Sequence, residues 1–192
     1  MKKLALVLTL SAALSGCVSL GKDPPPALLT LTPAVTAPAG LSATGKPIDA
    51  LTVIEPAAPQ KLDVTRVPVQ VDGATIAYLK DAVWVEKPAR LFARLISETI
   101  RAKQTRMVIE GSDVRFAAAT KLSGQLTEMG YDVQSGSVVV RFDAVLQQPN
   151  GQVMTRRFEA TVPGVQATPE AVGPALNQAA NKVAADVAAW IG

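Results

Sequence analysis

The chain has 192 residues, 48% of them hydrophobic and 18% charged, which suits one folded domain and excludes a disordered polyelectrolyte. Its 19 Lys and Arg against 16 Asp and Glu give a formal charge of +3, with no basic run interleaved with aromatics, so nucleic acid is not an expected partner. Histidine is absent and cysteine occurs once, at Cys17, which removes imidazole triads, HExxH zinc sites, Cys-rich metal sites and any intrachain disulfide.

The N-terminus sets Lys2 and Lys3 before an apolar run from Leu4 to Leu14, followed by Ser15 and Gly16: the layout of a secretory signal peptide. Eleven apolar residues span about 16 Å as a helix, roughly half a bilayer core, so this run does not cross a membrane. Removing it leaves 17 basic against 16 acidic residues, a mature charge of +1. Leu14, Ser15, Gly16 and Cys17 resemble the lipobox of bacterial lipoproteins. That resemblance implies cleavage between Gly16 and Cys17, thioether diacylation of the cysteine thiol and acylation of the new amino terminus. Three acyl chains at about 0.8 kcal/mol per buried methylene make such an anchor effectively permanent. By the same resemblance to bacterial lipoproteins, an aspartate after the cysteine would favour inner-membrane retention, and Val18 in its place implies export to the inner leaflet of the outer membrane.

Pro24, Pro25 and Pro26 favour an extended tether. Nine residues at about 3.1 Å each reach roughly 28 Å from the lipid surface. The expected organisation is therefore a signal peptide over 1–16, a lipidated tether over 17–26 and one domain over 27–192.

Within the domain, residues 27–32 read as a short strand and 33–47, rich in Ala, Thr, Gly and Pro, as a loop. Residues 48–55 read as a buried strand ended by Pro56. Residues 62–67 fit either a helical turn or an edge strand. Residues 69–71 and 75–79 form a hairpin around Asp72 and Gly73. Pro88 opens a helix whose Leu91, Phe92, Leu95, Ile96 and Ile100 share one face. Residues 107–110 are a further short strand.

A meander follows over 121–133, 137–147 and 153–162, with turns at Ser135-Gly136 and at Pro149, Asn150 and Gly151. In its first strand Leu122, Gly124, Leu126, Glu128 and Gly130 alternate against a second face that includes Met129. Thr168 and Pro169 resemble a helix start, although Gly173 and Pro174 argue for regular helix only from Pro174. A stripe from Val172 through Leu176, Val183 and Val187 runs to Trp190 and Ile191. About six strands and two amphipathic helices make a single layered α/β domain with a mixed sheet.

The order and spacing of several features resemble the auxiliary lipoproteins of ABC-type transporters, in particular the paraquat-inducible C-type partners of transporters with mammalian-cell-entry (MCE) domains. The features are Cys17, Leu29 to Pro33, Leu51 to Glu55 with Pro56, Leu62-Asp63 with Arg66-Val67, Ile76 to Tyr78 leading to Trp84, and Ala175 to Asn177 opening a helix that ends at Trp190-Ile191. Where relatives carry an aromatic pair before the first Leu-Thr, this chain has Ala27 and Leu28. The resemblance implies an α/β/α domain like the anticodon-binding-like or TolB N-terminal-like folds. It also implies a periplasmic, lipid-anchored role in lipid transport, with MCE and ABC subunits as partners and a homo-oligomeric ring, and it does not imply catalysis; no enzyme activity and no cofactor are expected.

Tyr78 and Trp84, flanking the entry to the first helix, are candidate partner or lipid contacts; core packing is the competing reading. Arg156 with Arg157, and Arg101, Lys103 and Arg106, are candidates for phospholipid head groups or simply solvated faces. Asp143 and Glu159 are the one imaginable acid/base pair, with no nucleophile or metal set beside them. Ala179, Ala180, Ala184, Ala185, Ala188 and Ala189 suit either intrachain packing or a subunit interface. The leading expectation is a non-enzymatic outer-membrane lipoprotein that docks an MCE-type lipid transport assembly. The alternative is a lipoprotein regulator of a cell-wall synthase or of outer-membrane assembly.

Overall fold

The computed structural model describes residues 27–104, 106–109 and 118–192. The expected signal peptide, Cys17 and the Pro-rich tether lie outside the described residues, as does Glu110.

Seven strands form one mixed sheet: β1 (Leu51–Val53), β2 (Arg66–Gln70), β3 (Ile76–Val83), β4 (Val108–Ile109), β5 (Thr120–Asp132), β6 (Ser137–Gln147) and β7 (Val153–Val162). Two helices accompany it, α1 (Pro88–Lys103) and α2 (Pro169–Ile191). The long β5 is the axis. One of its edges pairs antiparallel with β6, which pairs antiparallel with β7. Its other edge is shared in sequence. Parallel β1 sits at the start (Leu51 opposite Thr120), an isolated bridge from Ala57 reaches Gln125, and parallel β2 sits at the end (Val69 opposite Tyr131). The outer strands are β4 beyond β1 and β3 beyond β2.

Both helices cover the same face. Phe92 of α1 meets Phe142 of β6 edge-on at 5.4 Å, and Phe158 of β7, cross-strand partner of Phe142, packs on Trp190 of α2 at 5.6 Å. The described domain is therefore the expected single layered α/β domain, a mixed sheet packed with two helices, but in two layers, which corrects the α/β/α layering that the resemblance implied. The second sheet face carries Arg141, Asp143, Arg157 and Glu159, which have no apolar surface to bury against a third layer.

Helix α1 begins with Pro88 at its first position, where no amide donor is needed. It ends at Gln104, whose φ of 55° is the left-handed cap conformation. The start of α2 is set by Thr168, whose side-chain oxygen accepts from the Ala171 N–H at 3.4 Å. That cap outweighs Pro174, so the helix starts at Pro169 rather than Pro174; a proline this early removes a single helical hydrogen bond. Ala179, Ala180, Ala184 and Ala188 are buried within the chain, and only Ala185 and Ala189 face outward.

Other expectations shift for local reasons. A register shift between Leu126 and Glu128 marks a bulge in β5, and the extra residue advances the alternation by one. Leu122 and Leu126 face the core before it, Met129 and Tyr131 after it, so Met129 joins the face that the unbroken alternation denied it. The buried strand expected over 48–55 shrinks to β1; a 3-10 turn (Pro47–Asp49) precedes it, and Ile48 and Ile54 are exposed. Residues 62–67 resolve into the end of a 3-10 turn (Gln60–Leu62) and the start of β2. The expected first strand, 27–32, reduces to a single parallel bridge between Leu29 and Trp84.

Candidate interaction surfaces

The stretch from Leu29 to Ala37 is a strap across the helical layer. The Leu29 N–H donates to the Val83 carbonyl at 2.8 Å, and the Val85 N–H donates to the Leu29 carbonyl at 2.9 Å. Further on, the Thr32 N–H donates to Oδ1 of Asn177 at 2.8 Å and the Ala34 N–H to Oδ1 of Asn181 at 2.7 Å. Nδ2 of Asn181 returns a hydrogen bond to the Thr32 carbonyl at 2.9 Å. The Ala37 N–H then donates to Oε1 of Glu98 on α1 at 2.8 Å. A segment rich in Pro, Ala and Thr makes no ladder of its own, so side chains of α1 and α2 meet its backbone groups.

Leu29 also packs on Gly173, where an added Cβ would stand 2.7 Å from Leu29 Cδ2. The Glu98 carboxyl is held below its ordinary range, first by the Ala37 N–H and then, against the opposing effect of burial, by Arg101. Sequence reasoning missed Asn177, Asn181 and Glu98 as strap ligands. An i, i+4 pair of asparagines was the available signal, and by itself it does not differ from a solvated helix face.

Tyr78 and Trp84 are not brought together. Trp84 is 1% exposed and packed in the core, so its candidacy as a partner or lipid contact is corrected: a side chain enclosed on all sides presents no surface. Its Nε1 is buried without a hydrogen-bond partner among the described residues. Tyr78 is half-buried on the outer strand β3, with the Arg66 guanidinium 3.9 Å above its ring. Trp190 closes the end of α2 against Phe158.

The uncovered sheet face carries charges in cross-strand pairs. Arg157 donates to both carboxylate oxygens of Asp143, at 2.6 and 2.7 Å, and Arg141 pairs with Glu159. Lys61 reaches Glu128 at 2.6 Å. Asp143 is held below the ordinary aspartate range chiefly by the Arg157 hydrogen bonds. Asp143 and Glu159 are therefore each committed to an arginine, which corrects the imagined acid/base pair; a general base needs a carboxylate free to take a proton. Arg156 and Arg157, adjacent in a strand, point to opposite faces, with Arg156 lying 5.0 Å from the Phe158 ring. A shallow concavity of about 400 Å³ at the β2–β3 end of this face is lined by Lys61, Gln70, Asp72, Glu128, Asp132 and Arg141. Arg101 pairs with Glu98 at 2.8 Å and Arg106 reaches Thr120 Oγ1 at 3.5 Å, and both line one concavity beside the end of α1.

Together these observations define a small two-layer α/β domain whose N-terminal strap is clamped by its own helices and whose open face is a mosaic of paired charges. Residues 29–188 match the family described as the ABC-type transport auxiliary lipoprotein component, and the chain belongs to that family. Membership makes it an auxiliary lipoprotein of ABC-type transport, which implies a membrane-associated, periplasmic setting and association with transporter subunits.

Two solved structures are similar in fold. One is a DUF330 protein from Xanthomonas campestris, with 16% identity and a TM-score of 0.68 over 85% of this chain and 94% of that one. The other is an uncharacterized protein, with 18% identity and a TM-score of 0.63 over 76% and 94%. No curated protein matches the chain in sequence.

Proposed function

We propose that the protein is a non-enzymatic lipoprotein, held by acylated Cys17 in the inner leaflet of the outer membrane, that docks an MCE-type ABC system moving phospholipid between the membranes. The observation that carries this reading is the family match over residues 29–188, which takes in the described domain almost end to end behind a lipobox and tether. Three carboxylates of the sheet face, Asp143, Glu159 and Glu128, are each paired with a cation, which supports the non-enzymatic part. Val18 after the cysteine supports the outer membrane as the destination. Among the described residues β7 pairs only with β6, so its outer edge offers a row of main-chain groups to a second copy, which supports a homo-oligomer.

The test is affinity purification of the lipidated protein from crosslinked cells, with mass spectrometry of the proteins and lipids recovered. Recovery of an MCE subunit with its permease or ATPase is expected. Recovery of wall-synthesis or assembly factors in their place would overturn the reading. Light scattering that shows a strict monomer at micromolar concentration would remove the oligomer from it.

A further inference from the structure

We infer that the end of the sheet formed by the β2–β3 and β5–β6 turns rests on the lipid bilayer that anchors the protein. This rests on the proposed lipidation of Cys17 and adds to it the face that the domain turns to the membrane.

Three large apolar side chains are exposed at that end: Val71 at 36%, Ile76 at 38% and Val133 at 47%. They are neighbours in the sheet. The Val71 N–H donates to the Thr75 carbonyl across the hairpin, Ile76 pairs with Gln70, and the Val133 N–H donates to the Gln70 carbonyl. Extending the Gln70–Asp132 register by one residue sets Val71 beside Val133, with Ile76 on the other side of the tip.

The opposite end of the sheet also exposes apolar side chains, Ile48 and Val153, so exposure does not choose between the ends. The direction of chain entry does. Leu29 bridges Trp84 in parallel, and β3 runs from Ile76 at the tip toward Trp84. Followed backwards from Leu29, the chain through Leu28 and Ala27 therefore heads toward the tip. The tip lies about 17 Å beyond Leu29, measured along the five residues of β2. The nine residues between Cys17 and Ala27 reach about 28 Å when extended, enough to set the anchored cysteine at or past the tip. To bring the other end to the membrane, the chain would have to reverse.

The charges at the tip choose the kind of bilayer. Asp72 accepts from the Ala74 N–H at 2.8 Å, and Asp132 from the Gln134 and Ser135 N–H groups at 2.8 and 3.2 Å. These two carboxylates oppose an anionic surface, so the contact is apolar and suits bilayers without net charge.

The experiment uses the lipidated full chain in vesicles of phosphatidylcholine and phosphatidylethanolamine containing doxyl-labelled lipid. Lipidation consumes the only native cysteine, so Val71→Cys, Ile76→Cys, Val133→Cys and Val153→Cys variants each take one environment-sensitive fluorophore. Quenching several-fold stronger at the three tip positions than at 153, and unchanged by 1 M salt, is expected. Equal quenching at all four, or stronger quenching at 153, would overturn the inference. A tip label that is shielded but unquenched would also overturn it, since the tip would then be covered by protein. The Val71→Ser, Ile76→Ser, Val133→Ser triple variant, with an unchanged thermal midpoint, should lose the position preference of a label placed at Ala74→Cys; retention would count against the apolar contact. A Cys17 thiol still open to maleimide in the purified protein would remove the lipoprotein reading itself, and this inference with it.

Discussion

Asn181 of α2 holds the backbone at Thr32 the way a neighbouring strand would: its amide nitrogen donates to the Thr32 carbonyl at 2.9 Å, while its oxygen accepts from the Ala34 N–H at 2.7 Å. One helix side chain thus replaces two ladder hydrogen bonds for a segment that has no strand beside it.

The double variant Asn177→Ala, Asn181→Ala should release the strap without unfolding the helices. The pair makes three hydrogen bonds to the strap, so at about 0.5–1.5 kcal/mol per net hydrogen bond the loss should total about 1.5–4.5 kcal/mol. Urea unfolding followed by circular dichroism measures that loss. Limited proteolysis should cut the variant between residues 35 and 46 well before the parent, and equal cutting rates would show that the clamp contributes nothing.

The Glu98 carboxyl should make strap docking pH-dependent. Its folded value is depressed, so the stability it contributes is complete above the ordinary value of 4.5 and is lost as pH falls through the lower folded value. Unfolding free energy measured from pH 7 to pH 3 should therefore decline on the acid side. In Glu98→Gln, which keeps an acceptor for the Ala37 N–H, that decline should be shallower. Two parallel curves would contradict the assignment.

Gly124 has a φ of +146°, and a methyl group there would be driven into the Asp143 carbonyl oxygen on β6. Backbone strain and a clash with main chain act together, so Gly124→Ala should cost about 3 kcal/mol or more. The shift in thermal midpoint measures it. A shift under a few degrees would mean that β5 and β6 separate more easily than their long register implies.

Trp84 and Trp190 should be distinguishable by fluorescence. In Trp190→Phe, the remaining Trp84 should emit at short wavelength and resist acrylamide. In Trp84→Phe, the half-buried Trp190 should emit further to the red and quench more readily. Truncating the buried ring in Trp84→Ala should cost about 3–5 kcal/mol. A Trp84 open to acrylamide in the free protein would restore it as a contact residue.

Patterns within single elements were legible in the residues alone: the α1 stripe from Leu91 to Ile100, the Asp72-Gly73 hairpin and the three-strand meander. Each of these depends on local propensity, helical or strand periodicity, or turn chemistry over a few neighbours. Length, composition and the absence of histidine likewise bounded the class of chemistry before any fold was known.

Tertiary structure alone decided what each exposed or apolar residue meets. Trp84 and Tyr78 are both aromatic residues near one helix entry, yet the first is buried in the core, while the second stays at an outer strand under Arg66. Asn177 and Asn181 became ligands because a segment some 145 residues earlier in the chain crosses them. The β5 bulge, which moved Met129 to the core, follows from fitting one long strand against β6. Contacts between distant segments depend on how the layers stack and how strands register, and neither is encoded in the spacing of nearby residues.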